Sequence, residues 1–271
     1  MPLAELIAHQ EEWARHRWRG HSSRRAPSLR ANLFVPMSRD VRLQFTNGSG
    51  SELGHKDKPG KMQSLRSSSA LSYNVFAPWI ASDLQPLARA LGVKLSDGTM
   101  RFERQFRHGL NSMPPNIDVA LDNDQRRPLG IESKFTEPYG PKKDHPPLDQ
   151  KYFVGNATRW ADLDLPRCQD LAASIGTSLR FKRLGVGQLV KHILGLAWTT
   201  KSSPRLMYVW YDSGCNEANE HRDELARFRE LIDSAIDFSA QTYQDVFAIL
   251  LREREPVRGY HSYLRRRYFA A

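Results

Sequence analysis

Cysteine is scarce in this chain: Cys168 and Cys215 are the only two in 271 residues. One pair cannot build a disulfide framework or a cysteine-rich metal cluster, which excludes a stapled secreted scaffold and makes a reducing cytoplasm the default setting. Long apolar runs are missing as well. No window approaches eighteen apolar residues, and the opening "MPLAELIAHQEEWARH" carries acids where a signal peptide would be continuously apolar. The expectation is a soluble protein with no membrane partner. No internal repeat is visible, and the paired glycines of "LGVGQLV" lack the spacing and following acid of a dinucleotide loop.

Acidic charge is also in short supply. Thirty Asp and Glu face forty Lys and Arg, a formal charge of +10. A surface with that excess attracts polyanions, so nucleic acid is the leading partner on charge alone, while the fold stays undetermined. The excess gathers at the ends, in "RHRWRGHSSRR" and "YLRRRYF", with a mixed stretch at "CNEANEHRDELARFRE". By length the chain is one large domain or one domain with appendages. We divide it into a basic, loop-rich extension (1–64), a core (65–250) and a basic terminal segment (251–271).

Residues 1–20 show helical spacing through Leu3, Leu6, Ile7 and Trp13. From Gly20 to about Ser64 the composition turns to Arg, Ser, Gly, Asn and Pro, which predicts long loops. "RSSSALSYNVFAPWI" restarts helical periodicity with serine caps, and "ASDLQPLARALGV" reads as a short helix closed by Gly92. "TMRFERQF", "NIDVALD" and "GIESKFTE" read as strands, the last two joined by a turn at "NDQRRP". Short helices around Tyr152 to Ala161 and Pro166 to Ser178 precede an apolar helix, "GQLVKHILGLAWTT". "PRLMYVWYD" is a buried strand, "EANEHRDELARFRELIDSAI" a surface helix, and "YQDVFAILLRE" either strand or helix. This order predicts an α/β architecture with a mixed central sheet flanked by helices.

Three charges interrupt the two adjacent apolar strands: Asp118, then Glu132 and Lys134. A buried charge loses its hydration unless something compensates. Side chains alternate along a strand, so Ile117, Val119 and Leu121 share one face and leave Asp118 on the other, while Glu132 and Lys134 share the face opposite Ile131, Ser133 and Phe135. A turn centred near Gln125 sets Asp118 directly across from Glu132, a register that a one-residue slip would undo. Opposed carboxylates repel. A divalent cation removes the objection, because Mg²⁺ prefers hard oxygen ligands and completes its shell with waters and substrate phosphate. Lys134 is then placed to orient or deprotonate a water, or to offset charge on a phosphate.

This arrangement resembles the active site of the PD-(D/E)XK nuclease superfamily, in its bacterial restriction-endonuclease-like branch. The resemblance rests on "IDV" and "IESKF", on the preceding helix "SSSALSYNVF" and on the following helix with "GQLVKH", and it covers about Arg66 to Thr200. It implies an αβββαβ core and a metal-dependent endonuclease acting on DNA. Asp118, Glu132 and the Ser133 backbone carbonyl would be ligands of Mg²⁺, with Mn²⁺ an alternative, Lys134 the catalytic lysine and Gln188 a supporting group. Such nucleases often cut both strands as homodimers. Two departures stand out: Pro115 lies three positions before the first acid, and the preceding helix has no glutamate, leaving Asn74 or Glu103 for any supporting role. The rivals are a noncatalytic nucleic-acid-binding protein on the same fold and an RNA-directed nuclease.

Other groups read as structural. Glu137 ends its strand near Pro138, and His192, on an apolar helix, reads as a satisfied, partly buried histidine. Trp198, Tyr208, Trp210 and Tyr211 read as core. Histidines 9, 16 and 21 lack partners at zinc spacing. The final "RGYHSYLRRRYF" interleaves Arg258, Arg265, Arg266 and Arg267 with Tyr260, Tyr263 and Tyr268, as either a phosphate grip with stacking rings or a solvated tail.

Overall fold

The computed structural model describes residues 2–18, 24–48, 50–55, 58–95, 98–123, 127–140, 146–154 and 157–269. The expected turn at 124–126, the middle of the Pro-rich basic loop at 141–145 and His21 lie outside the described residues. Helix α1 (Leu3–Arg17) opens the chain, followed by α2 (Leu29–Asn32) and α3 (Arg39–Asn47). The last two fall where composition predicted loops. Ser28 and Ser38 accept hydrogen bonds from Ala31 N–H and Val41 N–H as N-caps, and Val41 and Phe45, one turn apart, bury a narrow apolar stripe. A low apolar content therefore still supports a helix when its few apolar residues recur every fourth position.

A short ribbon, β1 (Gly54–His55) and β2 (Lys58–Pro59), leads to α4 (Ser68–Phe76), capped by Ser67, and α5 (Gln85–Ala90), where Asp83 accepts from Gln85 N–H. The central sheet then forms from β3 (Gly98–Gln105), β4 (Asn116–Asn123) and β5 (Leu129–Lys134), with antiparallel neighbours. After α6 (Pro166–Ser174), α7 (Val186–Thr200) crosses the sheet and returns as β6 (Arg205–Trp210), parallel to β5. Helix α8 (Asn216–Leu231) leads to β7 (Asp237–Thr242), parallel to β6, a strand over residues to which the sequence pattern assigned no element. Its "DFSAQT" has one large apolar side chain, too few to register as a strand away from the sheet edge it occupies. Helices α9 (Tyr243–Leu250) and α10 (Tyr260–Tyr268) finish the fold, so the undecided "YQDVFAILLRE" is a helix, capped by Thr242.

The sheet order β3-β4-β5-β6-β7 gives a mixed α/β fold of the αβββαβ kind, consistent with a restriction-endonuclease-like architecture. One face packs Val119, Leu121, Leu129, Ile131, Met207 and Val209 against α4, α5, α9 and α10. The other packs Ala120, Leu206, Tyr208 and Trp210 against α6, α7 and α8. Ile117 departs from the expected alternation and joins this second face. The cause lies on both neighbouring strands: the β3–β4 ladder is interrupted at Glu103, and Gly130 leaves a gap that Ile117 fills, since a Cβ there would meet Ile117 Cδ1 at 2.8 Å.

Part of the terminal basic segment is buried in the core, while Arg265 and Arg266 stay exposed. Arg267 is fully buried, donating from Nη1 to Asn32 O at 2.7 Å and from Nη2 to Asn32 Oδ1 at 2.6 Å, while its guanidinium lies over the Trp13 ring. Tyr260, Leu264 and Tyr268 are buried beside it. Asn74, one of two candidates for a supporting role at the acids, ties this region together: it accepts from Phe34 N–H and donates to Asn32 O and Tyr268 Oη. Its polar atoms are committed to packing, away from Asp118 and Glu132.

Candidate active site

Strands β4 and β5 bring the two acids together. The pairs Val119↔Ile131, Ala120↔Gly130 and Leu121↔Leu129 carry the anticipated register, and its next step sets Asp118 across from Glu132. Asp118 Oδ2 accepts a hydrogen bond from Ser133 N–H at 2.7 Å, which fixes the first acid against the backbone of the strand bearing the second. Ser133 faces the other way, its hydroxyl 2.6 Å from Tyr243 Oη on α9.

Glu132 is fully buried, yet neither carboxylate oxygen is bare. Lys134 Nζ donates to Oε1, and His192 Nε2 lies 2.9 Å from Oε2. Lys134 also donates to Gln188 Oε1 at 3.3 Å. Residues 188 and 192 stand one turn apart on α7, so a single helical face supplies both contacts. The strand carries Glu132 and Lys134, and the helix that crosses over it fixes their positions.

The electrostatics separate the two acids. Burial pushes the Glu132 carboxyl up, but the ammonium of Lys134 and the imidazole of His192 outweigh it and hold it down to about 2. Asp118 has no such counter-charge contact: burial and the neighbouring Glu132 raise its carboxyl well above the usual range, against partial relief from Lys134. Lys134 loses hydration too, but Glu132, Asp118 and Glu137 together hold it firmly as an ammonium. A lysine so held is a charge donor and hydrogen-bond donor, unsuited to taking a proton from water.

Glu103 is the third acid at this end of the sheet. It takes φ +48° in mid-strand, a left-handed conformation uncommon for a residue with a side chain, where β3 passes Asp118. Its carboxyl accepts from Asn116 Nδ2 at 2.8 Å and is raised to about 7, chiefly by burial and then by Glu52 and Glu132 against the Asn116 hydrogen bond. Of the two supporting candidates, Glu103 is therefore the one that lies near the acids. Glu137 accepts from Phe135 N–H at 2.8 Å and turns the chain out of the strand, in the structural role expected.

The structure thus gathers Asp118, Glu132, Ser133, Lys134 and Gln188. His192 is the participant that sequence reading missed, because its apolar neighbours Val190, Ile193 and Leu194 disguise it as core; its place one turn beyond Gln188 was the available signal. Among the described residues no three His, Cys, Asp or Glu side chains converge on one metal position. The oxygen donors offered to a hard cation are the two carboxylates and backbone carbonyls, a set Mg²⁺ accepts when water and phosphate complete its shell.

The family model described as restriction endonuclease associating with ARP matches residues 5–269. The chain belongs to this family. The match takes in nearly all of α1 and all of α10 along with the sheet, so this restriction-endonuclease-like family includes the terminal helices that pack beside Asn32 and Asn74. No curated protein and no solved structure matches the chain. No helix among the described residues is long and apolar enough to cross a membrane.

Proposed function

We propose that this restriction-endonuclease-like protein is a Mg²⁺-dependent endonuclease that hydrolyses phosphodiester bonds of DNA, with its site built on the PD-(D/E)XK pattern. The observation that carries the reading is the unequal acid pair: Glu132 is paired with Lys134 and hydrogen-bonded to His192, while Asp118 lacks an ion-pair partner among the described residues and has its carboxyl raised by burial and by Glu132. A cation beside Asp118 offsets that charge. Asp118, Glu132 and the Ser133 carbonyl are the groups that would hold it, and bound Mg²⁺ supplies Lewis-acid polarisation of a phosphodiester and acidification of a water.

The remaining chemistry belongs to the chain. His192 and Lys134 fix the orientation of Glu132, and Gln188 fixes Lys134 from the opposite side. Lys134, kept protonated, orients the attacking water and offsets charge developing on the phosphate. The +10 net charge supplies affinity for the DNA backbone through counterion release. Association with ARP, in the words of the family description, is extended to this chain as part of the same proposal.

A plasmid-nicking assay in Mg²⁺ against EDTA tests the reading. Nicking that requires Mg²⁺ and is lost in Glu132→Ala supports it. Undiminished nicking by that variant contradicts it, and parallel RNA and single-stranded substrates show whether DNA is the preferred target.

A further inference from the structure

Beside the acids lies a depression of about 440 Å³, lined by Leu148, Asp149, Lys151, Tyr152, Gln188 and Lys191 among others. Its contents are electrostatically anomalous. Lys191 is half-buried on α7, in the turn between Gln188 and His192, and makes no ion pair or hydrogen bond among the described residues. Burial, and then the positive charge of Lys151 across the depression, pull its ammonium below the usual lysine range. Lys151 lies over the Tyr152 ring and, among the described residues, pairs with Asp149 at 3.5 Å on an exposed surface. The lining thus carries two ammonium groups against one carboxylate, Asp149, which sits by Lys151, so the half-buried Lys191 keeps no ion-pair partner among the described residues unless an anion enters beside it.

The wall shared with the acid site identifies the anion. Gln188 lines the depression and accepts from Lys134, so the two spaces are separated by one side chain. We infer that Lys151 and Lys191 form a phosphate seat that grips a backbone phosphate of the DNA strand next to the one presented to Asp118 and Glu132. This rests on the DNA reading above, but it concerns binding alone. Two lysines act as point charges on phosphate without demanding a particular base, which fits a contact that positions the strand.

The test is DNA binding in EDTA, where no cleavage occurs, followed by fluorescence anisotropy of a labelled duplex from low to moderate salt. Each lost phosphate contact should flatten the plot of log affinity against log salt by about 0.9, so Lys191→Met flattens it by about one and Lys151→Met with Lys191→Met by about two. Affinity at moderate salt falls roughly tenfold in the double variant, and Lys191→Arg restores most of it. Thermal melting separates this from a packing role: Lys191→Met should melt at or above the wild-type temperature, because it removes a dehydrated charge. An unchanged salt slope, or a marked fall in melting temperature with Lys191→Met, overturns the seat. Cleavage by the same variants is scored separately, so absence of Mg²⁺-dependent nicking in the wild type would sink the nuclease reading and leave the binding result to stand on its own.

Discussion

His192 Nε2 stands 2.9 Å from Glu132 Oε2, with both side chains out of contact with solvent. Glu132 is ionised, so the imidazole donates this hydrogen bond, and its Nδ1 has no partner among the described residues. A buried carboxylate held by lysine on one oxygen and histidine on the other has a single orientation, which is what a ligand that must meet a cation needs. His192→Ala should lower nicking by roughly 10- to 100-fold and raise the Mg²⁺ concentration needed for half-maximal rate. A change in rate with no change in that Mg²⁺ requirement would show that His192 does not orient a ligand.

Gln188 acts on the lysine. Its Oε1 accepts from Lys134, so Gln188→Ala should leave DNA affinity largely intact and lower kcat by about tenfold through a loosened ammonium. Gln188→Glu adds a second carboxylate against Lys134 and should depress kcat without weakening the fold. Single-turnover cleavage distinguishes the two effects, and an unchanged single-turnover rate in both variants would remove Gln188 from the site.

Protonation gives a stability signature without metal. Glu103 is raised from 4.5 to about 7, so the folded chain holds this proton more tightly than the unfolded chain does. Its contribution is therefore fully present below about pH 4.5 and is lost as pH rises through 7, by up to roughly 3 kcal/mol. Asp118, raised for similar reasons, acts in the same direction. Denaturant unfolding in EDTA should show Glu103→Gln gaining stability relative to wild type as pH rises from 5 to 8; parallel pH curves for the two proteins would contradict this account.

The basic terminal helix yields a prediction about folding. Asn74 makes three hydrogen bonds, two of them buried, and Arg267 bridges Asn32 to the ring of Trp13. Asn74→Ala should destabilise the protein by about 3 kcal/mol, since it strands the Phe34 N–H and takes the donor away from Tyr268 Oη, while Asn32 O keeps its bond from Arg267. Arg267→Ala should cost a similar amount, through lost packing as well as lost charge. Equal melting temperatures for wild type and both variants would put these residues back on the surface.

Much of the site was legible in the sequence because strand pairing across a short connection is a local affair. The alternation of "NIDVALD" and "GIESKF" fixed which residues share a face, and the register that sets Asp118 against Glu132 followed from the connection length. Gln188 was suggested by the family resemblance, since a glutamine at the start of a helix reads by itself as a cap or surface residue. His192 was not, because its partner lies 60 positions earlier and only its place one turn beyond Gln188 marks it among apolar neighbours. The same holds for the termini: the bonds from Arg267 to Asn32 span 235 positions, so nothing local in "YLRRRYF" showed that Leu264, Arg267 and Tyr268 are buried while Arg265 and Arg266 are exposed. Ile117 was misplaced because a bend at Glu103 and the missing side chain of Gly130 belong to other strands.

The central claim is that Asp118 and Glu132 share a divalent cation. The most direct measurement is Mg²⁺ binding to the full chain by isothermal titration calorimetry at neutral pH, for wild type, Asp118→Asn and Glu132→Gln, with folding checked by circular dichroism. The account predicts saturable binding to wild type and loss of it in both variants, each still folded. Equal Mg²⁺ binding by all three proteins would contradict it.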